Sequence, residues 1–192
     1  MSEPELYVEW GDSPIQSYEE GIRQFLFMVD RAQEERGWDQ KPLLGPVNCA
    51  LVGEVASLSF GVPEMDERFW EEFGETMPEL AMETFMAEVT HSQEAQEFLD
   101  SLVETGYQGW AFSVEFFMKQ VTDTGDQVGN QREVRITVLL DVDNILYGVF
   151  HVRGQEQPHV LEEVPRTALT RGLALLNAAS VMSIVRRNLD TE

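Results

Sequence analysis

Residues 109–119, GWAFSVEFFMK, change the period of the chain. Trp110, Phe112, Val114, Phe116 and Met118 fall on one face, and Ala111, Ser113, Glu115, Phe117 and Lys119 on the other, the alternation of a half-buried strand. Downstream, Val134, Ile136, Val138 and Leu140 alternate with Arg135, Thr137, Leu139 and Asp141. A turn at residues 141–144 predicts a return through Ile145 to Arg153, ended by Gly154. Between these strands, residues 122–130 carry two glycines and two aspartates and read as a loop. Residues 155–167, with two prolines, read as a linking loop.

Upstream the spacing is helical. Ser17 and Glu20 form a capping box, Gly37 is a C-terminal stop, and Tyr18, Ile22, Phe25, Leu26, Val29 and Ala32 make one apolar stripe between them. Pro42 keeps the following Gly37-to-Pro42 segment out of helical geometry. Asn48 to Phe60 reads as one strand. Two or three short acidic helices are expected next, over Glu67 to Gly74, from the capping box at Thr76 and Glu79, and from that at Thr90 and Gln93 to an end at Gly106. A last helix, Ala168 to Asn188, is apolar nearly all round. The expected fold is a single α+β domain over residues 1–192. It is an antiparallel three- to four-stranded meander packed by the long C-terminal helix, with the N-terminal helix and the short acidic helices beside it.

Charge narrows the function classes. The chain of 192 residues has a formal net charge of −22. Residues 62–106 hold thirteen acidic residues against one basic, Arg68, whereas residues 131–192 are close to neutral. Such a field repels nucleic acid and anionic membranes and attracts cationic partners. The single cysteine, Cys49, forms no internal disulfide, so a reducing, cytoplasmic setting is expected. The first residues are acidic where a signal peptide is basic, and no apolar run is long enough to span a bilayer.

The motif Gly37-Trp38-Asp39-Gln40-Lys41-Pro42 after a helix resembles the GWDQPP-type signature of a family of small, acidic, uncharacterised actinobacterial proteins. Residues 109–115 resemble that family's central strand, and residues 132–153 its Glu-Val-Arg strand and hairpin; Lys41 stands where the family has proline. The resemblance implies an α+β fold and a cytoplasmic setting, and singles out Trp38, Asp39 and Gln40. The simpler reading of those three is structural: Trp38 plugs the core while Asp39 and Gln40 satisfy loop backbone.

Catalytic and cofactor motifs are missing. His91, His151 and His159 are far apart, and no ligand set for a metal or cofactor is expected. There is no glycine-rich phosphate cradle and no nucleophile elbow. Asp141-Val142-Asp143-Asn144 begins like a calcium loop but lacks its glycine and distal glutamate, so a hairpin turn is expected. Two functional expectations follow. The first is a non-catalytic interaction or regulatory protein, at its extreme a nucleic-acid mimic. Its acidic helices, through Glu67, Trp70, Glu71, Glu72, Glu75 and Glu79, would receive a basic protein partner. The alternative is a small-molecule-binding protein or enzyme that uses a polar outer sheet face carrying Glu115, Lys119, Arg135, Thr137, His151 and Arg153. Cross-strand ion pairs would explain the same face without a ligand. A homodimer through the C-terminal helix is a further expectation.

Overall fold

The computed structural model describes residues 6–7, 17–40, 42–52, 55–60, 97, 106–121, 127–161, 173–175 and 177–182. Helix α1 spans Tyr18–Arg36 and starts where the capping pattern places it. The Ser17 hydroxyl accepts the Glu20 N–H at 3.2 Å, and the Gly37 N–H returns to the Glu34 carbonyl at 3.0 Å. The strands are β1 (Leu6–Tyr7), β2 (Leu43–Val52), β3 (Val55–Phe60), β4 (Tyr107–Val121), β5 (Gln127–Asp141), β6 (Leu146–Val152) and β7 (His159–Val160). Among the described residues they form one antiparallel sheet in the order β1-β3-β2-β4-β5-β6-β7.

The sheet overturns the expected α+β arrangement of a three- to four-stranded meander packed by a long C-terminal helix. The β4-β5-β6 meander is only its centre. The stretch read as one strand is two, β2 and β3, which fold back on each other through Val52↔Val55. Strand β2 starts five residues early, across Gly45 and Pro46, which look like breakers. Pro46 stands beyond the register of β3, where β2 is paired only with β4, and there a missing N–H is tolerated. Strand β5 begins at Gln127, inside the expected loop, and β7 lies inside the expected linker. The described helical residues near the C-terminus are 173–175 and 177–182, with no long helix among them. Of the acidic stretch, Glu97 is helical and exposed. The rest of the expected acidic helices lies outside the described residues.

Both sheet faces are covered. Trp110 donates from its indole N–H to Ser180 Oγ at 3.0 Å, and Tyr107 donates to Asn177 Oδ1 at 2.6 Å. The C-terminal helical residues therefore pack on the Trp110 face, with Leu173, Asn177 and Ser180 buried. Helix α1 covers the opposite face. Its Ile22, Phe25, Leu26 and Val29 pack with Leu43, Val47, Leu58, Ala111, Leu139 and Val149. Each of these buried side chains larger than alanine contributes about 1.5–3 kcal/mol. The stripe turns polar after Val29, at the buried Asp30 and Gln33. The sheet changes with it, from the apolar row Ala111↔Leu139↔Tyr147, through Ser113↔Thr137↔Val149, to Glu115↔Arg135↔His151. The face expected to be solvated is thus the one α1 buries.

The β5–β6 turn is held by Asp141, whose Oδ1 accepts the N–H groups of Asp143 at 3.0 Å and Ile145 at 2.8 Å. Its Oδ2 is buried without a hydrogen-bond partner among the described residues. Burial pushes the Asp141 carboxyl above its ordinary value, against those two N–H bonds. The folded chain then holds this proton more tightly than the unfolded chain. Stability from this group is complete below the ordinary carboxylate range and falls as pH rises through the raised value. Urea unfolding from about pH 4 upward should show wild type losing stability relative to Asp141→Asn, then levelling. A difference that grows in favour of wild type with pH would reverse the assignment.

No helix among the described residues is long and apolar enough to cross a membrane.

Candidate functional site

Arg135 sits mid-strand in β5 with its side chain 1% exposed, beneath the C-terminal half of α1. Its Nε and Nη2 donate to Glu115 Oε1 at 3.0 and 2.7 Å. Nη1 reaches the Asp30 carbonyl at 3.2 Å and Glu34 Oε2 at 3.3 Å, and Nη2 reaches the Gly37 carbonyl at 3.2 Å. One guanidinium therefore joins β4, β5 and the end of α1, the rigid fork geometry that lysine lacks.

The motif loop closes over this cation. The Trp38 ring lies 4.5 Å from the guanidinium carbon of Arg135, within cation–π range. Asp39 adopts a left-handed φ of 68°, and the consecutive N–H groups of Asp39 and Gln40 both donate to Glu115 Oε2, at 2.7 and 3.1 Å. The Gln40 amide donates to the Arg36 and Trp38 carbonyls at 3.3 and 3.4 Å. Trp38, Asp39 and Gln40 thus orient Glu115 and shield Arg135. Arg153 pairs with Glu133 and lies 3.7 Å from Asp39, at the rim of the same loop.

Next to Arg135, the His151 ring is 3% exposed and joins two elements. Nδ1 is 2.7 Å from Asp30 Oδ2, and Nε2 is 2.9 Å from the Gln155 carbonyl. A carbonyl only accepts, so Nε2 carries a proton. The Nδ1 contact needs a second proton, either on the ring or on the carboxyl. The pair therefore shares one proton between its two members. Burial raises the Asp30 carboxyl, opposed by the His151 hydrogen bond and the nearby charges of His151 and Arg135. Asp30 Oδ1 makes no hydrogen bond among the described residues and stands 3.6 Å from Arg135 Nη1.

Asp30 and His151 form the floor of a cleft of about 630 Å³ between α1 and the turn after β6. Phe27, Arg31, Glu34 and Glu35 line the helix side, and Glu156, Gln157 and Pro158 the turn side. Four carboxylates thus face one lining arginine, and Arg31 stands 3.6 Å from Glu35 Oε1. Among the described residues, no group of three or more histidine, cysteine, aspartate or glutamate side chains could hold a metal ion.

Of the residues singled out by sequence, Glu115 and Arg135 meet directly, and both Arg135 and His151 converge on Asp30 and Glu34. Arg153 stays at the rim. Glu67, Trp70, Glu71, Glu72, Glu75 and Glu79 lie outside the described residues. Sequence reasoning missed Asp30, although it follows Ile22 and Leu26 at helical spacing, so a charged residue stood on the buried stripe. Comparisons of the chain with known protein families, with curated proteins and with solved structures found no match.

Proposed function

We propose that this is a cytoplasmic, non-catalytic binding protein for a basic protein partner, and that the cleft between α1 and the turn after β6 is a docking point for that partner. The observation that carries the reading is the charge of the cleft: four carboxylates line it, and the buried cation beneath, Arg135, is shared by Asp30 and Glu34 with Glu115. The net charge of −22 supports it by adding a long-range field that draws cations toward the surface. Both nitrogens of His151 are engaged, so the Asp30–His151 pair offers no free ring nitrogen to a substrate. That favours binding over acid–base chemistry. The lone cysteine favours a reducing compartment.

The test is titration with a short arginine-rich peptide with blocked ends, and with the same peptide carrying citrulline in place of arginine. The arginine peptide should bind and weaken about tenfold or more between low and physiological salt, and the citrulline peptide should not bind. Glu34→Gln combined with Glu35→Gln and Glu156→Gln should weaken the arginine peptide several-fold. Affinity that stays flat with salt, or equal for both peptides, would end the electrostatic reading. A free alkylguanidine that binds as tightly as the peptide would make the ligand a small molecule instead.

A further inference from the structure

The negative charge of the cleft has a specific focus. Glu34 and Glu35 are exposed on α1 and Glu156 on the turn, where water solvates them. Asp30 lines the cleft but is only 1% exposed, and its buried Oδ1 makes no hydrogen bond among the described residues and stands 3.6 Å from Arg135 Nη1. The proton shared with His151 offsets the second charge there. Among the described residues, the charged groups that face the pair are Asp30 and Glu34 from α1, Arg135 from β5 with Glu115 of β4 against it, and His151 from β6. Asp39 and Arg153 pair with each other above, and Glu156 closes the turn side. With the shared proton in place, Arg135 and that proton stand against Asp30, Glu115 and Glu34, so a single negative charge remains. Without it there are two. Phe27 and Pro158 give the cleft apolar sides that suit the methylene stem of a long basic side chain.

We propose that the occupant of the cleft is a single basic side chain, arginine or lysine, of the partner protein, and that its charge exchanges for the proton held between Asp30 and His151. The exchange balances: one cation enters above the pair as one proton leaves to solvent. Asp30 is then a full carboxylate, and the entering cation compensates that buried negative charge from the cleft side. This inference rests on the cleft being the docking site.

The same arginine-rich peptide tests it, because arginine keeps its charge over the whole range. Affinity is measured at constant ionic strength from about pH 5.5 to 8, above the ordinary titration of the rim carboxylates. Calorimetry in two buffers of different ionisation enthalpy counts the protons exchanged. Binding should tighten with rising pH, approaching about tenfold per pH unit at its steepest, with close to one proton released per peptide. Asp30→Asn and His151→Gln should each abolish the release. Wild type that binds with neither proton release nor pH dependence overturns the exchange without any need for a variant, and so does proton uptake. A peptide that fails to bind, or binds independently of salt, overturns the docking reading itself. Salt-sensitive binding without proton release overturns the exchange alone.

Discussion

Replacing Arg135 with methionine is expected to lower stability by about 3–5 kcal/mol, seen as a large fall in the urea midpoint with the slope unchanged. The stem of methionine fills much of the space, so the loss is chiefly electrostatic. Glu115 would keep its two backbone donors from Asp39 and Gln40 but lose both guanidinium bonds while 10% exposed. Asp30 would lose the guanidinium beside it and keep only the His151 proton. The Gly37 and Asp30 carbonyls would lose their donor as well. Buried ion pairs contribute little net stability, yet removing one partner leaves the other uncompensated. A second change should therefore recover part of the loss, since Arg135→Met with Glu115→Gln removes the stranded charge and keeps the acceptor for the loop. If the single variant lies within about 1 kcal/mol of wild type, the buried cation is not what holds this corner.

Gly109→Ala is expected to cost at least about 3 kcal/mol. Gly109 has φ +152° in β4, and a Cβ there would lie 2.2 Å from the Leu140 carbonyl oxygen and 2.8 Å from the Asp141 Cα. Both are backbone atoms of the paired strand, so no side-chain rotation relieves the clash. Gly154 is the control. Its φ is +87°, but a Cβ at that position would meet no described atom within 4 Å, so Gly154→Ala should carry only the conformational cost of about 1–2 kcal/mol. Thermal unfolding of the two variants side by side separates crowding from conformation. Equal losses would show that the β4–β5 approach at Gly109 is slack.

How much of this was legible follows from the range of each interaction. Ser17, Glu20 and Gly37 act within one turn of helix, so α1 was readable nearly to the residue. The alternation in Trp110 to Met118 and Val134 to Leu140 is equally local, and the centre of the sheet followed from it. The outer strands were not legible. Pro46 reads as a breaker unless one knows that β3 stops short of it, and β7 is only two residues long. The polar row Glu115, Arg135 and His151 was found by parity, but parity does not say which face a helix covers. Asp30 decides that question. Its partners are 105 and 121 residues away, and only the fold brings them together.

A chain with one cysteine has no internal covalent staple, and Arg135 ties segments as distant as many disulfides do, 98 and 105 residues apart. Unlike a disulfide, it leaves the unfolded chain unconstrained, so its whole contribution resides in the folded state. The consequence is cooperativity. The last turns of α1, the motif loop and the floor of the cleft hang from the same guanidinium and the same imidazole. An opening that frees one of them strips the partners of the others. Amide exchange in the second half of α1 is therefore expected to proceed by release of the whole corner, as one unit, and not by fraying back from Arg36.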